Sequence, residues 1–283
     1  LNTRTKKFSA LTAENSFLKS NIVIDLLKDK KGRIWIVNYF AGVQVYNPKT
    51  KTHQNITLKS EIDGSIINSI YQIFEDNQGN IWIGTLNTGL FKLTERGDEW
   101  SSVHYHTKNS ISNNFINAII QDNKNTIWVG TQGGLNKYLP ETDSFLSITK
   151  SDGLKNDAIK GIIDDKDKHL WLSTENGIIR YDTNNGETIN YDVGDGLQSK
   201  EFIASSSITA KKGEYIFGGI NGFNIFTASD VEKRKDTLTL FVSGLKLFNQ
   251  PVLPNDDFGI LERDISQVDS LTFNYDQSVI NID

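Results

Sequence analysis

The stretch NIWIGTLNTGLFKL, residues 80–93, places a tryptophan between two isoleucines, followed by Gly-Thr, a polar turn and a second apolar run. Two apolar runs around a Gly/Asn turn indicate a β-hairpin. Related stretches recur at RIWIVNYFAGVQVY (33–46), TIWVGTQGGLNKY (126–138), HLWLSTENGIIRY (169–181) and, without the tryptophan, EYIFGGINGFNIF (214–226). The hairpin is therefore one part of an internal repeat.

Two landmarks keep the same phase through this repeat. Four tryptophans are 47, 46 and 43 residues apart, and an aspartate lies six residues before each: Trp35, Trp82, Trp128 and Trp171, with Asp29, Asp76, Asp122 and Asp165. In the second copy the pattern predicts strands near 70–75, 81–84, 90–93 and 100–105. A period of about 40 to 50 residues with four strands per unit is typical of a β-propeller blade. We expect the four tryptophans to be buried between neighbouring blades.

The composition excludes several classes of protein. A chain of 283 residues with 37% hydrophobic residues can form a substantial core, and a net charge of -5 speaks against a nucleic-acid-binding surface. No apolar run approaches the about 20 residues of a membrane span. Without cysteine there is no thiol chemistry. The glycine-rich FGGING (217–222) joins two strands rather than opening a helix, so we expect no phosphate-bearing cofactor, and no other cofactor is indicated.

The repeat resembles a known family. The W-[IVL]-G-T-x-x-G-[LI] hairpin, the D-x-x-G-x-[IL]-W turn and the DGL lead-ins at 152–154 and 195–197 are similar to the two-component regulator propeller repeat. That repeat builds the periplasmic sensor region of hybrid two-component systems, chiefly in gut Bacteroidetes. The first copy departs from the pattern with WIVNY, and Ser173 replaces a glycine in the fourth copy.

The resemblance also implies a domain organisation. Residues 214–231 are similar to a last propeller blade, and residues 240–252 and 271–283 resemble the opening strands of the three-tyrosine β-sandwich domain. We therefore expect an all-β chain: a β-propeller of four-stranded blades over 1–236, followed by the start of an Ig-like β-sandwich over 237–283. The blades are expected to be part of a seven-bladed ring, and a free-standing five-bladed propeller is the alternative. Residues 1–11 resemble the third and fourth strands of a preceding blade, which makes the propeller partial at its N-terminus.

The implied function is ligand sensing. The resemblance implies the extracytoplasmic domain of a hybrid two-component sensor histidine kinase/response regulator, which recognises a glycan-derived oligosaccharide and regulates polysaccharide-utilisation genes. It further implies a periplasmic location, homodimerisation through the sandwich domain or the propeller, no nucleic-acid partner, no catalysis by this chain, and a membrane helix and kinase outside it. The alternative is a carbohydrate-active enzyme, a lyase or glycosidase, because the fold alone does not decide function.

The strand path predicts where a ligand binds. It places the turns after the second strands on the same face as the links between blades, and loops on a rigid scaffold commonly carry binding residues. The ligand-binding candidates on this face are Asn38, Tyr39, Phe40, Asn87, Gln132, Glu175 and Asn221. Aromatic rings beside amides suit a sugar. Packing of the two rings against a neighbouring blade, and turn formation by the amides, are the alternatives.

Other motifs favour structural roles. HYH (104–106) places two imidazoles on one side of a strand as a candidate metal edge, but we interpret it as a solvent-facing outer strand and expect no metal. The Asp-rich EDNQGN and DDKDKH read as Asx turns rather than calcium loops. A glycosidase pair of Glu175 with an aspartate of another blade is marked by no motif. Trp100 does not fit the period of the other tryptophans. We expect it to be either a half-exposed surface residue or part of a contact with a missing region.

Overall fold

A computed structural model describes residues 4–97, 99–231, 242–268 and 270–282. The chain divides into two compact units, residues 1–231 and residues 232–283. The domain boundary predicted at 236/237 lies outside the described residues.

The first unit contains one antiparallel sheet for each copy of the repeat, which we number as blades 1 to 5. Each of blades 1 to 4 is a four-stranded meander, and blade 5 has three strands within the described residues. The strands are Val23–Lys28, Ile34–Asn38, Gly42–Asn47 and Thr52–Ile56 in blade 1; Ile70–Glu75, Ile81–Thr85, Leu90–Arg96 and Glu99–Tyr105 in blade 2; Ile116–Gln121, Ile127–Thr131, Gly134–Leu139 and Ser144–Ile148 in blade 3; Ile159–Asp164, His169–Thr174, Gly177–Asp182 and Thr188–Tyr191 in blade 4; and Phe202–Thr209, Tyr215–Gly219 and Gly222–Phe226 in blade 5. The predicted all-β fold of four-stranded blades is confirmed. A short hairpin, Leu58–Lys59 with Ile66–Ile67, lies in the link between blades 1 and 2.

The periodic tryptophans fill the interfaces between blades, as predicted. Trp82 lies with its ring centroid 5.0 Å from that of Tyr138 in blade 3, and Trp171 lies 5.0 Å from Phe226 in blade 5. All four tryptophans are buried. The aperiodic Trp100 packs edge-on against Trp35, 4.9 Å away, so it belongs to the interface between blades 1 and 2. Neighbouring sheets thus bury the faces that they turn toward each other.

The aspartate landmark organises the turn before each tryptophan. In blade 3 one oxygen of Asp122 accepts the backbone N–H groups of Lys124 and Thr126, and the other accepts the indole N–H of Trp128 at 2.8 Å. The same indole bond joins Trp35 to Asp29 and Trp82 to Asp76. In EDNQGN one oxygen of Asp76 accepts the backbone N–H groups of Gln78 and Asn80, so this turn has the Asx-type bonding that we expected.

Blade 4 departs from this arrangement. Asp165 still accepts backbone N–H groups of its turn, but its second oxygen accepts the Nδ1–H of His169 at 2.7 Å. The buried indole nitrogen of Trp171 has no hydrogen-bond partner in the part of the chain that the structure describes. Blade 4 therefore keeps the aspartate but lacks the hydrogen bond that the tryptophan indole donates to it in blades 1 to 3.

The glycine two residues after the tryptophan allows the next blade to approach closely. A Cβ atom on Gly84 would lie 2.7 Å from the Cγ2 of Ile116, and one on Gly130 the same distance from the Cγ2 of Ile159. Blade 4 has Ser173 at this position, and the residue paired with it on the first strand is Gly161. In blade 4 the glycine of this pair therefore lies on the first strand instead of the second, so the close packing survives the substitution.

The N-terminal segment differs from its prediction. Residues 4–22 form turns and irregular segments without strand pairing, so residues 4–11 are not the third and fourth strands of a further blade. Phe8 and Leu11 are exposed to solvent. Phe17 instead stacks on Tyr46, and its carbonyl accepts a hydrogen bond from the side chain of Gln44, so the segment is attached to blade 1.

The second unit contains a small sheet. Its central strand Leu245–Leu247 pairs with Gln250–Pro251 and with Ile280–Ile282. Leu245, Leu247, Val252 and Leu261 form its core. The predicted Ig-like sandwich stays a prediction. Across the described residues of both units, no helix has the length and apolarity to cross a membrane.

Candidate ligand-binding site

The turns after the second strands and the links between blades meet at one end of the blades, which we call the upper face. The first residue of such a turn donates its backbone N–H to a carbonyl of the link before the same blade. These bonds join Tyr39 to Ile22 at 2.9 Å and Gln132 to Phe115 at 3.1 Å. The strand path predicted this arrangement.

Each first strand of blades 1 to 4 begins with a β-bulge at the upper face. The register shift falls on the second residue of each strand, at Ile24, Tyr71, Asn117 and Lys160. A bulge leaves one residue unpaired and re-aims its side chain. The side chains of these four residues therefore do not follow the regular in-and-out alternation of their strands. They lie beside the turns of the upper face.

Three polar side chains of blades 3 and 4 converge there, and we call them the rim cluster: Gln132, Lys160 and Glu175. The Lys160 Nζ lies 2.8 Å from Glu175 Oε1 and 3.0 Å from Gln132 Oε1. The Gln132 Nε2 donates to the same Glu175 oxygen at 2.8 Å. Two donors from different blades thus meet on one carboxylate oxygen.

The members of the rim cluster differ in their exposure. The Lys160 side chain is 16% exposed, whereas that of Glu175 is 47% exposed. The hydrogen bonds from Lys160 and then Gln132 hold the pKa of Glu175 below its ordinary value, against a smaller opposing effect of burial. Asn117, fully buried at the neighbouring bulge, places its Nδ2 3.4 Å from Gln132 Oε1. The side chains of Lys160 and Gln132 are therefore fixed by contacts on the protein side of the cluster, whereas that of Glu175 faces solvent.

Two aromatic rings lie where blade 2 meets the link to blade 3. Tyr71, at the bulge of blade 2, and Phe115, in the link before blade 3, are half-buried, with ring centroids 6.2 Å apart at 65°. Phe115 is joined to Gln132 by the backbone bond described above. An aromatic ring suits the C–H face of a sugar, and amide, ammonium and carboxylate groups suit its hydroxyls.

The predicted site residues are distributed unevenly. Gln132 and Glu175 are brought together across two blades. Asn87 is exposed and accepts a hydrogen bond from Ser69 Oγ at 2.9 Å, and Asn221 is exposed with its backbone N–H bonded to a side chain of the preceding link. Asn38 requires a correction: it is fully buried, and its Nδ2 donates to Gln44 at 3.2 Å, so it does not offer an amide to the surface.

Tyr39 and Phe40 form a separate aromatic patch on blade 1. They are 45% and 57% exposed, and their rings meet edge-on at 4.5 Å. Phe40 has a positive φ of 49°, in the left-handed region that bulky residues rarely adopt. Their role in ligand binding stays a prediction.

Sequence reasoning missed the residues at the bulges of blades 2 to 4, of which Lys160 belongs to the rim cluster. Lys160, Asn117 and Tyr71 each lie eleven positions before the tryptophan of their blade, so the repeat contained a signal for them. The bulge at that position is invisible in the apolar pattern of the strand.

The interpretation of HYH was wrong. His104 and His106 are buried rather than solvent-facing. The His104 Nδ1 accepts the backbone N–H of Glu61 at 3.2 Å, and its Nε2 lies 2.6 Å from the carbonyl of Thr88, to which it donates. Glu61 belongs to the hairpin between blades 1 and 2, which covers this strand. No cluster of three potential metal ligands of the His, Cys, Asp or Glu type occurs among the described residues.

Comparisons with known proteins agree with this architecture. The family model described as "Two component regulator propeller" matches residues 64–87 and 110–133, which hold the link and first two strands of blades 2 and 3. No curated protein matches the chain. The surface component PorZ of the type-IX secretion system of Porphyromonas gingivalis matches over 87% of this chain and 37% of its own, with 17% identity and a TM-score of 0.60.

Two extracellular domains from B. thetaiotaomicron hybrid two-component systems also match. That of BT3049 has 23% identity and a TM-score of 0.46 over 82% of this chain, and that of BT4673 has 21% identity and a TM-score of 0.44 over 93%. The chain spans 36% and 41% of the length of these two structures. The propeller fold and the resemblance seen in the sequence are confirmed: the chain carries two-component regulator propeller repeats in blades 2 and 3.

Proposed function

We propose that this chain is the extracytoplasmic ligand-sensing region of a hybrid two-component sensor, and that it binds an oligosaccharide on its upper face. The rim cluster with Tyr71 and Phe115 is the observation that carries this proposal. Hydrogen bonds join side chains of blades 3 and 4 on the upper face, and an aromatic pair lies where blade 2 meets the link to blade 3.

The position of the cluster connects binding to the packing of the blades. Lys160 and Asn117 lie on first strands, and the Asn117 carbonyl is 3.3 Å from the Oγ of Ser205 in blade 5. Ser205 also accepts a hydrogen bond from Gln72 of blade 2 at 2.8 Å. A ligand that binds one arrangement of these strands more tightly than another shifts the population between them, which is what signalling requires.

The further parts of the proposal concern the whole protein. In our proposal the sensor acts as a homodimer in the periplasm, and the signal passes to a membrane helix and a histidine kinase outside this chain. The output is control of genes for polysaccharide use. The two-component regulator propeller repeats support this assignment.

The test is a thermal-shift screen against defined oligosaccharides, including the Phe115→Ala variant. A ligand at a hundred times its Kd adds about 2.7 kcal/mol of stability, which is visible as a melting shift. We expect a selective shift for the parent and a smaller one for Phe115→Ala. A saccharide that is consumed during the assay would instead identify an enzyme.

The same screen tests the aromatic patch of blade 1. We expect Tyr39→Ala to keep the fold and to weaken the response to the ligand. An unchanged affinity in this variant would remove Tyr39 from the site.

A further inference from the structure

We propose that the saccharide recognised at the rim cluster carries a carboxylate, which replaces Glu175 as the partner of Lys160 and Gln132. This inference rests on the proposed function and specifies the class of its ligand.

The Glu175 carboxylate already makes the contacts that a ligand carboxylate would make. One oxygen of Glu175 lies 2.8 Å from both Lys160 Nζ and Gln132 Nε2. In our proposal, an oxygen of the ligand carboxylate takes the place of this Glu175 oxygen. Charge-assisted hydrogen bonds of this kind are stronger than bonds between neutral groups, so the two donors favour an anion over a hydroxyl.

The donors are fixed in place before a ligand arrives. The Oε1 of Gln132 receives both Lys160 Nζ at 3.0 Å and Asn117 Nδ2 at 3.4 Å. Because this oxygen is held by two donors, the amide nitrogen of Gln132 is directed at the carboxylate. A positively charged group and an oriented amide are thus preorganised for an anion.

Glu175 is the replaceable member of the group. Its side chain is 47% exposed on a turn, whereas that of Lys160 is 16% exposed on a strand. Ion pairs with an exposed partner contribute little to stability, so exchanging this carboxylate for another costs little. Among the four equivalent bulge positions of blades 1 to 4, occupied by Ile24, Tyr71, Asn117 and Lys160, only the last bears a charge.

The rest of the surface suits a sugar rather than a small acid. Phe115 is tied to Gln132 through the backbone, and Tyr71 meets Phe115 at 6.2 Å. In our proposal a sugar ring rests on these aromatics and its carboxylate reaches the rim cluster. An acidic saccharide uses both halves of the site, and a neutral one uses only the rings.

The experiment is calorimetric titration of the full chain with matched pairs of oligosaccharides. Oligogalacturonate, oligoguluronate and a glucuronate-containing tetrasaccharide are each compared with the carboxyl-reduced counterpart. We expect at least one uronate to bind about tenfold or more tightly than its reduced form, which is the size of a charge-assisted bond. Sulfated neutral oligosaccharides form a separate arm.

Three variants locate the preference. Lys160→Gln should bring the uronate down to the affinity of the reduced sugar, while Glu175→Gln should tighten uronate binding about two- to fivefold, since it removes a competing anion. Lys31→Gln, at the exposed Lys31–Glu95 pair of blades 1 and 2, is the matched control and should change neither affinity. Melting temperatures without ligand check that each variant is folded.

The outcomes separate the two proposals. Equal binding of acidic and reduced sugars, with loss of both in Phe115→Ala, overturns the carboxylate inference and leaves the sensor proposal standing. Tighter binding of the sulfated sugars than of every uronate, or a preference that survives in Lys160→Gln, also overturns it. If none of these sugars binds, the inference is overturned, and the broader oligosaccharide screen decides the proposed function separately.

Discussion

Blades 3 and 4 have nearly the same motif but use it differently. In blade 3 the indole of Trp128 donates to Asp122 at 2.8 Å. In blade 4 the equivalent Asp165 accepts from His169, and the Trp171 indole has no acceptor in the described part of the chain. The two blades also differ in the residue two positions before the tryptophan, which is Thr126 in blade 3 and His169 in blade 4. In these two blades the shared motif keeps the tryptophan buried but does not keep its hydrogen bond.

The largest effect concerns packing, which both blades share. Trp128→Ala should lower the free energy of unfolding by about 3 to 5 kcal/mol, the usual cost of removing a buried aromatic side chain. Chemical denaturation and a melting curve measure it. A melting temperature within about a degree of the parent would contradict the assignment of Trp128 to the core between blades.

A matched pair of substitutions isolates the hydrogen bond. Trp128→Phe and Trp171→Phe remove similar volume, but only the first leaves a buried carboxylate oxygen without its donor. Trp128→Phe should therefore be more destabilising by about 1 to 3 kcal/mol, the cost of an unsatisfied buried polar group. Denaturation of the two variants side by side measures the difference, and equal losses would show that the indole bond contributes nothing.

A single change should convert blade 4 to the arrangement of blade 3. His169→Thr installs the residue of blade 3 and removes the imidazole from the second oxygen of Asp165. In blades 1 and 2 the equivalent oxygen accepts both the indole and the side chain of Arg33 or Asn80, so the change tests whether the imidazole in particular displaces the Trp171 indole. We expect a gain of about 1 kcal/mol in unfolding free energy, the net worth of a typical hydrogen bond. The indole N–H signal of Trp171 should also move downfield and exchange more slowly in NMR. An unchanged indole signal would contradict the explanation.

Blade 1 adds a pH dependence to the same motif. Burial raises the pKa of Asp29, but hydrogen bonds from the Trp35 indole and from Arg33 outweigh it and hold the pKa below its ordinary 3.8. A depressed folded pKa contributes stability above the unfolded value, and this is lost as the pH falls through the folded one. Asp29→Asn should therefore be less stable at pH 7 and lose less on acidification below about pH 4. Melting curves across this range measure it, and parallel pH profiles of parent and variant would contradict it.

The fold was largely predictable because the repeat carries its own register. Tryptophan, aspartate and turn glycine recur together, and each has a packing or hydrogen-bonding reason to do so. The substitution at Ser173 shows the limit, because its compensation by Gly161 depends on strand pairing that the motif does not contain.

The candidate site was predictable only in part. Gln132 and Glu175 followed from the strand path, which places their turns on one face. Lys160 did not, because a β-bulge rather than residue type brings it to that face. The burial of His104 was missed for a related reason, since it depends on a hairpin in the link between blades 1 and 2.

The most direct test of ligand sensing at the upper face is a hydrogen-exchange footprint with the saccharide that gives the largest melting shift. Our proposal predicts slower exchange in the link 112–117 and in the turns 131–134 and 174–177, which surround the rim cluster. The turns 76–80 and 122–126, at the other end of the blades, should not change. Protection confined to those opposite turns would contradict the proposed site.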